Sequence, residues 1–215
     1  MLLNEAISEI KTLLGFRSDL DEQIKSQLTR AQEYFQRGPV YPWFLLSEDA
    51  TTTTSVGAQR VQLPGDFLSE FEDGALFYIP SNTELEEVAL TKETYEQLME
   101  EFERGAEGPP EGYCITGFYF RIFPIPDEEY TLRMMYYQKD TPISNLSTAD
   151  TCLWLTHAPN CLIGHAGKKL ASTVGNANAL AVFKEMESSA IVQLNTENEA
   201  RNMTNRELLM GGPAA

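Results

Sequence analysis

The chain has 215 residues, 42% of them hydrophobic, with 32 acidic and 16 basic side chains and a formal net charge of −16 at pH 7. That length suits one domain, or one domain carrying an insertion, with a sizeable core, and no apolar run approaches the length of a membrane span. Three cysteines at no framework spacing, Cys114, Cys152 and Cys161, fit a reducing compartment, and the opening MLLNEAISEI has no basic n-region and does not read as a secretory signal.

In chain order, Leu3, Ile7, Ile10 and Leu14 recur at helical spacing and predict a helix over about 2–14, with Gly15 as its stop. Ser18 and Asp21 form a capping-box-like start, with Asp in place of Glu or Gln. Leu20, Ile24, Leu28, Ala31 and Phe35 then make the apolar stripe of a second helix, ended by Gly38-Pro39. From Tyr41 the pattern turns to strands. Residues 43–46, 51–54 and 60–63 are short and aromatic or β-branched, with Val56-Gly57-Ala58 as a turn. Residues 75–79 and 87–90 are further candidates. One helix interrupts them, with Thr91 able to cap it, Glu93 in its first turn, and Tyr95, Leu98, Met99 and Phe102 along one side up to Gly105. GAEGPPEG over 105–112 reads as a loop. Two alternating strands follow, with Phe118, Phe120 and Ile122 on one face of the first and Leu132, Met134 and Tyr136 on one face of the second. Their succession predicts a hairpin.

A polar connection over 138–150 leads back to helix. Pro159 suits a first helical position, and that helix runs to about Thr173, stopping near Gly175-Asn176. The last helix carries Ala179, Phe183, Met186, Ala190 and Leu194 on one stripe and reaches Met203 or beyond, with disorder expected over 211–215. The expected fold is therefore α+β. A small helical bundle comes from residues 1–40 and 150–205. An antiparallel β-rich domain, inserted over 41–149, has one helix near 91–104. A flexible C-terminal tail covers 206–215.

Charge follows this division. Residues 1–37 hold 6 acids and 5 bases, residues 150–215 hold the same numbers, and residues 38–149 hold 20 acids and 6 bases. A block carrying −14 has no footprint for gripping phosphates.

Several constellations invite chemistry. His157, Cys161 and His165 would share a face of one continuous helix and could hold a soft metal. Pro159 lies between the first two, no fourth ligand is near, and Gly164 and Gly167 point to close helix packing. Cys152 or Cys161 could serve as a nucleophile beside a histidine, but neither has a local motif, and a buried small hydrophobe is the commoner role. Gly164-His165-Ala166-Gly167-Lys168-Lys169 lacks the spacing and the Ser or Thr of a phosphate loop. The carboxylates Glu84, Glu86 and Glu87, and Glu100, Glu101 and Glu103, lack the alternation and central glycine of a calcium loop and read as a solvated face. Phe118, Tyr119, Phe120, Tyr136 and Tyr137 could stack bases only beside a basic groove, so packing and subunit contact suit them better. No catalytic residue, metal or cofactor is assigned.

The order of certain words resembles the head-to-tail adaptor proteins of tailed bacteriophages, also called connector or head-completion proteins. Tyr41-Pro42-Trp43-Phe44-Leu45 precedes the threonine run, and Leu63-Pro64-Gly65-Asp66-Phe67 follows it. Phe123-Pro124-Ile125-Pro126 leads to the paired tyrosines of 130–137. Leu153-Trp154-Leu155 and Ala158-Pro159-Asn160 open the closing helices. The resemblance covers about 2–203, and the 105–112 loop has no counterpart in it. It implies a helical bundle with an inserted β domain, no catalysis, and a structural role in the virion neck after assembly in the host cytoplasm. It also implies a ring, commonly of twelve copies, that joins portal to tail or nozzle proteins and passes DNA without specific binding, with no membrane involved. The residues taken as its structural or interface signature are Trp43, Leu63, Pro64, Asp66, Phe67, Pro124, Pro126, Tyr136, Tyr137 and Pro159. Two other readings stand beside it. The acidic block could make the chain a DNA mimic or another protein-binding module, and Cys161 with a histidine could make it an enzyme.

Overall fold

The computed structural model describes residues 1–16, 18–38, 41–71, 74, 76–80, 86–103 and 105–210, with side chains as far as Arg201. Pro39, Ala75, Glu84 and residues 211–215, all used in the sequence reading, lie outside the described residues. The fold is α+β, and the chain divides into two compact units, residues 1–45 with 140–215, and residues 46–139. The first holds 13 acids and 10 bases, the second 19 acids and 6 bases.

In the first unit, α1 spans Leu3–Leu13 and starts with the Leu2 N–H donating to Glu5 Oε2 at 2.8 Å, which satisfies an otherwise orphaned helix-end donor. Gly15 and Phe16 both take positive φ, 87° and 60°, and turn the chain. A 3₁₀ turn over Ser18–Leu20 leads into α2, Asp21–Gln36. The residue preceding α2 is Leu20, so the helix begins at Asp21, and the backbone of Ser18 belongs to the 3₁₀ turn before it. Residues 43–45 form a second 3₁₀ turn where a strand was expected, closed by the Leu45 N–H on the Pro42 carbonyl at 3.0 Å. Three helices return: α4, Leu153–His157; α5, Pro159–Val174; and α6, Ala177–Met210. Helix α3, Tyr95–Glu101, belongs to the other unit.

Helix α5 is the centre of this unit and packs against α1, α2, α4 and α6. Cys161–Gly164, Ala166, Gly167, Leu170 and Ala171 are all buried. Small side chains let neighbours close in. A Cβ placed on Gly164 would stand 2.6 Å from the Glu187 backbone nitrogen, and one on Gly167 would stand 2.3 Å from the Phe183 ring. Gly175 ends α5 at φ 71°. The α6 stripe buries Ala179 and Phe183, and its backbone is helical through Met210.

Helix α4 begins at a polar clasp that sequence patterning does not reveal. Asp140 Oδ2 accepts the Trp154 N–H at 2.9 Å, and its other oxygen accepts the Thr141 N–H at 2.7 Å. Gln32, 2% exposed on α2, donates to the Thr141 carbonyl and accepts the Ile143 N–H, both at 2.9 Å. The Asp140 carboxylate and the Gln32 amide are thereby satisfied, as burial demands.

In the second unit, the strands are β1, Leu46–Thr53; β2, Arg60–Gln62; β3, Phe67–Glu70; β4, Leu76–Ile79; β5, Val88–Ala89; β6, Thr91–Lys92; β7, Gly112–Thr116; β8, Tyr119–Phe123; and β9, Thr131–Gln138. One sheet has the order β1-β9-β4-β5, with β3 also on β9, and the other the order β2-β8-β7-β6. Helix α3, Tyr95–Glu101, lies between β6 and β7 in the chain. It is capped by Thr94, whose hydroxyl accepts the Gln97 N–H at 3.3 Å, because Thr91 is taken into β6.

The predicted hairpin does not form. Strand β8 pairs with β2 and β7, and β9 with β1, β3 and β4, so the two lie in different sheets. Alternation fixes which face is buried but not which strand is the partner. The inward residues were correctly placed for Phe120, Ile122, Leu132, Met134 and Tyr136, which join Val61, Leu76, Leu90 and Tyr113 in one core cluster. Phe118 is the exception. It sits in the β7–β8 turn beside Gly117, at φ 64°, and is 79% exposed.

Candidate functional site

The reactive side chains are held apart by the break between α4 and α5. Pro159 starts α5 and leaves His157 at the end of α4, so His157 and Cys161 share no helix. His157 stacks on Phe44 with ring centres 5.2 Å apart and meets the Trp43 edge at 4.9 Å. His165 stacks on Tyr34 at 4.5 Å, and its Nδ1 lies 2.7 Å from Glu187 Oε1. Lys168 Nζ takes the other Glu187 oxygen. Cys161 is fully buried, and burial, followed by the nearby Glu187 charge, pushes its thiol up to about 11. Cys152 is pushed up to about 12, chiefly by burial. A nucleophilic thiolate needs the opposite shift. Among the described residues no three His, Cys, Asp or Glu side chains come together as a metal would require.

The signature words act within each unit. The centre of the Trp43 ring lies 3.5 Å from the Arg201 guanidinium carbon, and the Trp43 backbone N–H donates to Asn198 Oδ1 at 3.0 Å, so the 43–45 turn is fastened to α6. Pro159 is the first residue of α5. In the other unit, the Leu63 N–H donates to the Phe118 carbonyl at 2.9 Å, and the Phe67 N–H to the Pro64 carbonyl at 3.1 Å. Asp66 Oδ1 accepts the Tyr136 hydroxyl at 3.0 Å, and Phe67 stacks on the Tyr136 ring at 5.6 Å. Burial first, then this bond to Asp66, raises the Tyr136 hydroxyl above its ordinary range. Tyr137 lies beside Phe71, at 6.0 Å. Pro126 accepts the Gly57 N–H at 2.8 Å, and Pro124 stands 3.5 Å from where a Gly108 side chain would begin.

The scarce cations of the β unit are partly spent on neighbours. Arg133 grips Glu87 through Nε at 2.9 Å to each oxygen and lies over Phe77 at 4.4 Å. The bond to Arg133 holds the Glu87 carboxyl below its usual range. Lys92 pairs with Glu70 at 2.9 Å. What this leaves is a strongly acidic unit, with 19 acids against 6 bases.

The family model described as SU10 adaptor protein matches residues 1–208. The chain belongs to this family of phage head-to-tail adaptors. Members are structural adaptors, which agrees with thiols held away from ionisation and with histidines engaged in ring stacking. No curated protein matches the chain. None of the described helices is long and apolar enough to cross a membrane.

Proposed function

We propose that this adaptor forms a ring between portal and tail in the virion neck and that the ring extends the channel through which DNA leaves the head. Twelve copies, to match the ring expected of its relatives, is part of this reading. Membership of the adaptor family is the observation that carries it. Charge supports it: the β unit has 19 acids against 6 bases. Cationic contacts would hold phosphates through counterion release, whereas a conduit must let the duplex slide. The ten signature residues are proposed to matter to assembly by shaping each unit, with surface contacts built around them.

The test mixes the purified chain with its portal and images the product. A ring seated on the portal is expected; a chain that stays monomeric and never joins the portal overturns the reading. The acidity also favours a second reading, a DNA mimic that occupies a DNA-binding enzyme. Inhibition of a nuclease in competition with DNA would support that instead, and no inhibition removes it. We further propose that about residues 201–215 dock on a neighbouring subunit or on the portal. Deleting 205–215 should weaken ring attachment and leave the monomer folded, and unchanged attachment refutes it.

A further inference from the structure

One arginine of the acidic unit lines a cavity in which the one carboxylate, Glu103, makes no ion pair with it among the described residues. Arg121, on β8, has its Nε buried with no hydrogen-bond partner among the described residues. Its Nη2 reaches Gln59 Oε1 at 3.3 Å. The guanidinium carbon lies 4.5 Å from the centre of the Tyr95 ring and 5.9 Å from that of Phe123. Met99 and Phe102 complete the apolar walls of a cavity of about 450 Å³, a size ordinary for a ligand site. The wall is closed by Gly105 and Ala106, at the start of the loop with no counterpart in the resemblance.

Two other cations of the unit are ion-paired, Arg133 with Glu87 and Lys92 with Glu70. Among the described residues Arg121 has no such ion pair, although Glu103 lines the same cavity. Arg121 is partly buried, and the two aromatic rings offset part of the cost of drawing its charge out of water. The Nε is closed to solvent, but the guanidinium charge and its Nη N–H groups suit one carboxylate. Tyr95 and Met99 are 38% and 40% exposed and provide an apolar lip beside it. A nucleic acid would bring many phosphates against a unit with 19 acids and 6 bases, so a single carboxylate fits better.

We propose that this cavity is a docking site for a carboxylate-bearing peptide segment of a partner protein, its carboxylate paired with Arg121 and an apolar neighbour seated on Tyr95 and Met99. The site stands whether or not the chain forms a ring, because it rests on the geometry of one unit. The test titrates the full chain with N-acetyl-phenylalanine and, separately, with its neutral amide, and follows the Met99 methyl and Arg121 Nε–H resonances by NMR. The acid should shift both signals and bind roughly tenfold or more tightly than the amide, as a charge-assisted bond implies. Arg121→Gln should remove that preference. Met99→Glu, at an exposed lip position, should weaken the acid alone and decides the matter if Arg121→Gln does not fold. No shift at either signal, equal binding of acid and amide, or undiminished preference in Arg121→Gln or in Met99→Glu overturns the proposal. None of these outcomes bears on ring formation, which imaging with the portal reads separately.

Discussion

Replacing Gly164 with alanine tests the packing at the centre of the helical unit. The added Cβ would stand 2.6 Å from the Glu187 backbone nitrogen and 2.8 Å from its Cα, about 0.8 Å short of the 3.4 Å at which ordinary contact begins. The obstructing atoms are helix backbone, so no side chain can swing aside. Helices α5 and α6 must separate, and the bonds that Glu187 makes to His165 and Lys168 lengthen with them. Alanine in a helix interior is worth up to about 1 kcal/mol over glycine. Overpacking costs about 1–3 kcal/mol, and a backbone-on-backbone clash belongs at the upper end. The net loss is about 1–2 kcal/mol, a fall in midpoint temperature of roughly 2–8 °C for a chain of this size. Gly65→Ala is the control, since nothing lies within 4 Å of its added Cβ and its φ lies outside the left-handed region; it should change stability by less than about 0.5 kcal/mol. Urea unfolding followed by far-ultraviolet circular dichroism reads both. A Gly164→Ala protein as stable as the parent, with an unchanged slope, would refute the close approach of the two helices.

Three further outcomes follow from the same contacts. Cys161 and Cys152 are held protonated, their pKa values pushed up to about 11 and about 12, against roughly 8.5 for a thiol in the unfolded chain. The unfolded state therefore releases protons first, so stability is full below about pH 8.5 and is lost as pH rises toward the folded values. The raised hydroxyls of Tyr130 and Tyr136 prolong the decline. Urea midpoints from pH 7 to 11 should fall, and should fall less steeply in Cys161→Ala; a flat profile rejects the assignment. Asp140→Ala removes the acceptor for two backbone N–H groups and the 3.5 Å contact from Gln32 Nε2, so about 1–3 kcal/mol should be lost by equilibrium unfolding. Tyr136→Phe deletes the bond to Asp66 and should cost about 0.5–1.5 kcal/mol in the β unit, with ring assembly on the portal retained; lost assembly at unchanged stability would show instead that the pair acts at a subunit contact.

The helices were legible wherever burial has a period and a punctuation mark. Leu3, Ile7 and Ile10, then Ile24, Leu28 and Ala31, repeat at helical spacing and are all buried, while Pro159 and Gly175 mark the ends of α5. Helix α4 was not legible, because five residues give no period and its start depends on Asp140, far enough upstream to be invisible to local patterning. Strand β7 was hidden behind a Gly- and Pro-rich loop, and β3 and β6 are too short to alternate. Pairing failed for a different reason. Consecutive strands usually pair, yet between β8 and β9 the chain passes from one sheet to the other. Of the candidate site, the residue types of Arg121, Tyr95 and Phe123 were visible but their meeting was not, since nothing in sequence spacing brings the middle of β8 under α3.

The signature words now have a physical reason to travel together. Asp66 and Phe67 stand far from Tyr136 in sequence, yet one accepts its hydroxyl and the other stacks on its ring. Lys139 donates its N–H to the Asp66 carbonyl at 2.6 Å, three residues beyond Tyr136. The 63–67 word therefore fastens the last strand of the β unit at the point where the chain leaves for the helical unit. The other end of that departure is fixed by Asp140 and Gln32. Each end of the crossing is thus pinned within its own unit, and on the β side a short acidic residue beside an aromatic one does the pinning.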